Sequence, residues 1–117
     1  MRLLFALAIA AAQPGSAPVL AVGACTETQV TRVEPRLQGA PGSGLFIAYA
    51  DGLSQVSYGA PAGMKDSRPG DPVKLCLQSR PKNCPPGDSR GAVYAAVDRR
   101  TGEAWTVADS SHLCGGA

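Results

Sequence analysis

Proline and glycine interrupt nearly every window of this chain that is long enough to form a helix. The 117 residues include 10 prolines and 14 glycines, and both residue types weaken the interior of a helix. The apolar and polar residues between these breaks tend to alternate, which favours short strands. The sequence therefore predicts an all-β fold, a small and mainly antiparallel barrel or sandwich of the OB or SH3-like size, stabilised by disulfides.

Residues 45–58 predict a first β-hairpin. They contain Asp51-Gly52 between two apolar runs, and both central residues of a type I′ turn must adopt positive φ, which this pair tolerates. A two-residue turn places Ile47 opposite Val56. One face of the hairpin then carries nearly all of its large apolar side chains, so this is the expected register.

Residues 92–107 predict a second hairpin. A three-residue loop at positions 100–102 ends in a glycine, the residue best suited to the left-handed position of such a loop. This loop sets Val97 opposite Trp105. A four-residue loop would instead set Trp105 against Ala96 and mix the two faces, so the shorter loop is expected.

Two further stretches predict the remaining strands. Residues 71–78 alternate strictly, with Val73, Leu75 and Leu77 on one face and polar residues or cysteine on the other. Residues 26–33, rich in threonine and valine, predict a weaker first strand. With two strands in each hairpin, the chain is expected to form six.

Residues 1–24 predict a signal peptide. Arg2 precedes an apolar run at 3–12 that is too short to span a bilayer, and small residues follow it. Cleavage is expected after Ala21 or after Ala24, because a signal peptidase requires small side chains before the cut. The remaining residues 25–117 are expected to form one domain that is not transmembrane after processing.

Four cysteines predict two disulfides in a chain that is exported to an oxidising compartment, the periplasm or the outside of a bacterium. Three connectivities are possible. The short, proline-containing loop between Cys76 and Cys84 favours that bridge, and Cys25 and Cys114 bracket the rest of the domain. The expected pairs are therefore Cys76–Cys84 and Cys25–Cys114.

An alternative use of the first cysteine is lipidation. Residues 22–25, "VGAC", resemble the Leu-Ala-Gly-Cys pattern of bacterial lipoproteins. A lipid anchor on Cys25 would leave three cysteines and one unpaired thiol, so the two-disulfide hypothesis is preferred.

The C-terminal stretch "DSSHLCGGA" raises the question of a catalytic or metal site. Residues 87–90 and 109–112 resemble the GDS and Asp-x-x-His blocks of GDSL-type hydrolases, which implies a Ser-His-Asp mechanism. The serine, however, follows "CPPGD", which predicts a turn rather than the end of a hydrophobic strand. A metal site lacks ligands, since the chain has one histidine and no Cys-x-x-Cys pair. We therefore expect no enzyme activity, no metal and no cofactor, and a tail held by a disulfide.

A basic segment is the other functional lead. Residues 74–100 hold six basic residues against Asp88 and Asp98, and no sequence motif for specific nucleic-acid recognition accompanies them. If the loops at its two ends lie together, they form a positive patch that suits an anionic surface. The residues of this possible binding surface are Arg80, Lys82, Arg90, Arg99, Arg100 and Trp105.

The long loops at 59–70 and 79–91 support a different partner. Loops on a rigid sheet carry binding functions more often than the strands do. The sequence therefore favours a small exported, non-enzymatic module that binds a protein partner through its loops, for example as an inhibitor or an envelope-associated factor. The alternative is a binder of polyanions or of the envelope surface that uses the basic 74–100 region.

Overall fold

Residues 17–116, which the computed structural model describes, form an all-β domain, as predicted. Residues 1–16 of the predicted signal peptide, and residue 117, lie outside the described part. All six predicted strands are present, with one short helix. The elements are β1 Cys25–Pro35, β2 Leu45–Tyr49, β3 Ser54–Ser57, α1 Ala62–Asp66, β4 Pro72–Ser79, β5 Val93–Asp98 and β6 Ala104–Ala108.

The six strands form one antiparallel sheet in the order β3-β2-β1-β4-β5-β6. The long strand β1 lies at the centre and has two partners: its first half pairs with β4 and its second half with β2, on either side of an irregularity between Val30 and Arg32. This stagger curls the sheet into a half-barrel and brings the edge strands β3 and β6 into contact.

Strand β4 shows the predicted alternation. Val73, Leu75 and Leu77 are buried, whereas Lys74 and Gln78 are exposed. Inward side chains of β1, β2, β4, β5 and β6 meet in one apolar cluster inside the curl, which Leu53, just before β3, and Met64 of α1 complete. Burial of this apolar surface is the main force that holds the sheet in its curled form.

The first hairpin forms, but its predicted register is wrong by one residue. Tyr49 and Leu53 pair across a three-residue turn, and the Tyr49 N–H donates to the Leu53 carbonyl at 2.9 Å. Ile47 therefore pairs with Gln55 rather than Val56. Gln55 takes the inward position because it makes hydrogen bonds there that no apolar side chain can make.

The second hairpin is also shifted by one residue. Asp98 and Glu103 pair across a four-residue loop, with the Asp98 N–H donating to the Glu103 carbonyl at 2.9 Å. Trp105 therefore lies opposite Ala96. The faces are not mixed, because Ala96 and Trp105 both point inward, whereas Val97 is exposed. The buried Asp98 carboxylate accepts two N–H groups of the loop and so stabilises the longer turn.

Residues 59–70, predicted to be a displayed loop, contain helix α1 and close one side of the core. Met64 is fully buried. Gly63 packs so closely that a Cβ atom there would lie 3.0 Å from Cε3 of Trp105. This segment is therefore anchored to the core at Gly63, Met64 and Ser67, and most of its other residues are exposed.

All four cysteines form disulfides, as predicted, but the preferred pairing is wrong. Cys25 lies directly opposite Cys76 in the β1–β4 register and is bonded to it. Cys84, in the connection between β4 and β5, is bonded to Cys114 in the C-terminal tail. The pairing follows strand register and loop contacts, neither of which can be deduced from the spacing of cysteines.

Candidate functional site

Gln55 bridges the gap between the two edge strands of the half-barrel. Its side-chain oxygen accepts hydrogen bonds from the Tyr49 hydroxyl at 2.6 Å and from the Trp105 indole N–H at 3.0 Å. Its side-chain nitrogen donates to the backbone carbonyls of Tyr94 at 2.9 Å and Val107 at 3.0 Å. We call this bridge the seam. Its amide satisfies both acceptor and both donor sites, so a fully buried polar group is held at little cost.

An open cleft of about 330 Å³ lies beside the seam. Strand β3 and the turn before it supply one wall, and the ends of β5 and β6 supply another. The loop between β4 and β5 and the first residues of the tail form its rim. The side chains used below are Leu53, Arg80, Ser89, Tyr94, Asp109 and Ser110, all of which line this cleft.

Asp109 is an ionisable group whose pKa is shifted by its place in the cleft wall. Burial raises the pKa of its carboxyl group above the usual value, although the Gly91 N–H, which donates to it at 2.8 Å, and the charge of Arg80 both act in the opposite direction. Burial likewise raises the pKa of the Tyr94 hydroxyl, so that side chain stays neutral at ordinary pH. The cleft thus offers two arginines, of which Arg90 is paired with Asp88, together with one partly desolvated carboxyl group and a neutral phenol.

The rim of the cleft is built from two segments joined covalently. The Cys84–Cys114 disulfide links the β4–β5 connection to the tail. Two backbone contacts support it: the Cys114 N–H donates to the Arg90 carbonyl at 2.9 Å, and the Gly115 N–H donates to Asp88 Oδ2 at 3.0 Å. The tail is therefore pinned, as predicted, although to a different cysteine.

The tail residues singled out for catalysis make local contacts. His112 is exposed, and its backbone N–H donates to the Ser110 hydroxyl oxygen at 3.1 Å. The Asp109 carboxylate accepts the Gly91 N–H. Ser89 is exposed on the rim of the cleft. The His112 contact is that of a local turn, whereas the Asp109 contact joins the tail to the connection between β4 and β5.

The predicted basic surface is divided between two ends of the sheet. Arg80 directly follows β4, whereas the Arg99 N–H donates to the carbonyl of Pro72, the first residue of β4. At about 3.3 Å for each residue of that strand, Arg80 and the backbone of Arg99 lie roughly 25 Å apart. The condition on which the positive patch depended, that both loops lie together, is not met.

Several members of that surface are also engaged elsewhere. The six predicted residues behave as follows: Arg90 pairs with Asp88, Arg99 pairs with Glu27, Arg100 pairs with Asp71, Trp105 is buried, and Arg80 and Lys82 are exposed. The Arg90 guanidinium holds the pKa of the Asp88 carboxyl well below its usual range. Ion pairing lowers the charge available to an anionic ligand, and burial removes Trp105 from any surface.

Within residues 17–116, no group of three or more His, Cys, Asp or Glu side chains is arranged to hold a metal ion. No helix in the same part of the chain is long and apolar enough to cross a membrane.

Comparison with protein-family models, with curated proteins and with solved structures finds no match for this chain.

Two features of this region were not predicted from the sequence. Gln55 was assigned to the outer face, because the expected hairpin register put Val56 inside. Asp109 was considered as a catalytic or metal-binding group, not as part of a cleft wall. The signal that could have located Gln55 is its position between Tyr49 and Trp105, two residues whose polar atoms require partners when buried.

Proposed function

We propose that the protein is an exported, non-enzymatic binding module that takes part of a protein partner into the cleft beside the seam. The observation that carries this proposal is the construction of the rim, two loops joined by the Cys84–Cys114 disulfide on the rigid edge of a sheet. Fixing loops before a partner arrives reduces the conformational entropy lost on binding.

Export to the periplasm or out of a bacterial cell is supported by the two disulfides, which persist in oxidising compartments. The backbone favours signal-peptide cleavage after Ala21. The Gly23 N–H donates to the Leu77 carbonyl at 2.8 Å, and the Leu77 N–H donates to the Ala24 carbonyl at 2.9 Å. A cut after Ala24 would remove this pair of bonds at the start of β1, whereas a cut after Ala21 keeps both.

The intact mass of the protein recovered from the cell envelope tests the processing. We expect a chain that begins at Val22, with no free thiol before reduction and four after it, since all four cysteines are bonded. Cys25 Sγ lies in a disulfide and cannot carry a thioether-linked lipid at the same time. A diacylglyceryl mass on Cys25 would contradict this prediction.

The binding of polyanions or of an anionic envelope surface is the less favoured function. Arg99 and Arg100 point their charges at Glu27 and Asp71 and lie far from Arg80. Phosphate or sulfate contacts would also make retention fall steeply as the salt concentration rises. A complex formed by shape and apolar contacts in the cleft should lose little affinity in salt.

Two single substitutions test the cleft against the basic region. Ser89→Trp places a large side chain on the exposed rim of the cleft, whereas Arg99→Gln removes one charge from the opposite end of the sheet. We expect Ser89→Trp to abolish capture of the partner from an envelope extract and Arg99→Gln to leave it unchanged. Unfolding curves of both variants would verify that the fold is intact. The reverse pattern, with loss in high salt, would establish the polyanion function instead.

A further inference from the structure

The cleft already contains a short piece of the chain. Residues 17–19 form part of its wall, and Leu20 packs against the core beside it. Burial alternates along this stretch: Pro18 and Leu20 are half-buried, whereas Ala17 and Val19 are exposed, Val19 to 90%. Alternation with a period of two is the pattern of an extended peptide that lies along a surface.

One polar contact holds the backbone of this segment. The Arg80 guanidinium donates a hydrogen bond to the Leu20 carbonyl oxygen. A contact to the backbone does not depend on the identity of the side chain, so another extended peptide can satisfy it equally well. The segment leaves about 330 Å³ of the cleft unfilled, which is room for further side chains.

Signal-peptide cleavage after Ala21 removes the whole segment. The mature protein then keeps the cleft residues of β3, β5, the β4–β5 connection and the tail, but loses the wall formed by residues 17–19, the packed Leu20 side chain and the carbonyl that Arg80 binds. Strands β1 to β6 and both disulfides lie on the far side of the cut. Processing therefore exposes the surface against which this extended segment lies.

We propose that the cleft of the mature protein binds an extended, uncharged, proline-containing peptide segment of its partner, in the position that residues 17–20 occupy before processing. This inference rests on the proposed function and names the kind of ligand. The peptide residue at the position of Pro18 lines the cleft, the apolar residue two positions on packs against the core as Leu20 does, and Arg80 donates to the backbone carbonyl of that second residue. Proline suits this role because its fixed φ reduces the entropy lost when an extended peptide binds.

The direct test is a titration of the processed protein with the peptide acetyl-Ala-Pro-Val-Leu-amide, followed by NMR and calorimetry. We expect saturable shifts of the Tyr94 and Asp109 backbone signals. The full 117-residue chain, oxidised in vitro, should bind the peptide at least about tenfold more weakly, because its own segment competes at an effective concentration of the order of millimolar. An acetyl-Ala-Asp-Val-Asp-amide peptide should not bind, since aspartate cannot enter the apolar positions without losing its hydration.

Arg80 and Lys82 provide a matched pair of variants. Both side chains are exposed and basic and lie in the same loop, but only Arg80 lines the cleft. Arg80→Gln should weaken binding of the peptide by about tenfold, the expected effect of losing one charge-assisted hydrogen bond. Lys82→Gln should leave the dissociation constant unchanged. Equal losses in both variants would indicate non-specific charge and would overturn the proposed contact.

The failure of this inference can be distinguished from the failure of the proposed function. If the peptide causes no shift in the cleft, but Ser89→Trp still abolishes capture of the partner, the cleft binds a partner of different chemistry and the peptide inference is wrong. If the peptide causes no shift and Ser89→Trp leaves capture of the partner unchanged, the cleft is not the binding site and both proposals fail. Saturable binding confined to cleft residues supports both.

Discussion

The seam and the cleft lie side by side where the edge strands of the half-barrel face each other. They differ in how fully the surrounding groups compensate their polar side chains. In the seam, the Gln55 amide has a partner for each of its donors and acceptors, and it is fully buried. In the cleft, Asp109 is partly desolvated, and its pKa is raised as a consequence. The seam compensates its buried polar group fully, whereas the cleft holds a carboxyl group whose charged form is partly desolvated.

This difference separates a polar group whose hydrogen bonds are all made inside the fold from a half-buried ionisable group beside an opening. A carboxyl group held above its usual pKa in a cleft is a candidate for a binding site. Proteins commonly retain destabilising groups at their binding sites. The contrast makes separate predictions for the two regions, because substitutions in the seam should affect folding, whereas substitutions in the cleft should affect binding.

The largest effect is expected in the seam, from Gln55→Leu. Leucine has a similar size but leaves the Tyr49 hydroxyl and the Trp105 indole N–H without their partner, and the two carbonyls keep only their bonds within the β5–β6 ladder. At roughly 2 kcal/mol for each of the two buried groups left unpaired, we expect the free energy of unfolding to fall by about 4 kcal/mol. Urea denaturation measures this, with Gln78→Leu on the exposed face of β4 as a control near zero. Equal losses of stability at positions 55 and 78 would contradict the stabilising role assigned to the hydrogen bonds of Gln55.

Removal of the Cys84–Cys114 disulfide tests the rim of the cleft. Replacing both cysteines by alanine should lower the free energy of unfolding by about 3.6 kcal/mol, the chain-entropy value for a loop with this separation of 30 residues. It should also weaken peptide binding, because the two rim segments are no longer joined. The matching Cys25 and Cys76 double variant should destabilise the fold while leaving binding by the surviving folded molecules unchanged. Equal loss of peptide binding in the two double variants would show that the Cys84–Cys114 disulfide has no specific role in binding.

Gly63 tests how tightly the helix packs on the seam tryptophan. An alanine Cβ there would lie 2.9 Å from Cβ of Glu103 and 3.0 Å from Cε3 of Trp105, whose indole is held by Gln55. Overpacking should outweigh the better helix propensity of alanine, for a net loss of about 1 kcal/mol. Gly59→Ala is the matched control, since no atom lies within 4 Å of the added Cβ. Thermal unfolding of both variants would show whether Gly63 is more sensitive, as expected.

The smallest effect concerns Asp109 and depends on pH. Because burial raises its pKa in the folded state, its contribution to stability is greatest below its ordinary pKa and is lost as pH rises through the raised value. Asp109→Asn keeps the oxygen that accepts the Gly91 N–H and removes the buried charge. The variant should therefore be more stable than the native protein at about pH 7, and this advantage should disappear near pH 3. Urea denaturation midpoints of the variant and the native protein at these two pH values measure the advantage. A variant less stable than the native protein at pH 7 would show that neighbouring groups compensate the charge of Asp109.

The strands could be predicted from the sequence, because alternation and turn residues are local signals. The strict alternation of Val73, Leu75 and Leu77 places β4 correctly. Both hairpins, however, were predicted one residue out of register. A shift of one residue moves every side chain to the other face. The correct register is decided by the distant partners of Gln55 and by the hydrogen bonds of the Asp98 carboxylate, which no local pattern contains.

The same reasoning explains what was missed at the candidate site. The disulfide partners depend on the β1–β4 register, which brings Cys25 opposite Cys76 from 51 residues away. The basic segment is continuous in the sequence, but β4 and β5 divide it between two ends of the sheet. The cleft involves the end of the predicted signal peptide, the first hairpin turn and the tail. Contacts between segments so far apart follow from topology and cannot be deduced from composition or spacing.

The most direct test of the cleft as the functional surface is site-specific photo-crosslinking in the cells that make the protein. A photoreactive amino acid would replace Ser89 on the rim of the cleft or, as a control, Gln78 on the exposed face of β4. We predict that the Ser89 position gives one discrete adduct with a defined partner protein, and that unlabelled native protein competes for it. An adduct of equal yield from the Gln78 position, or from that position alone, would contradict the assignment of binding to the cleft.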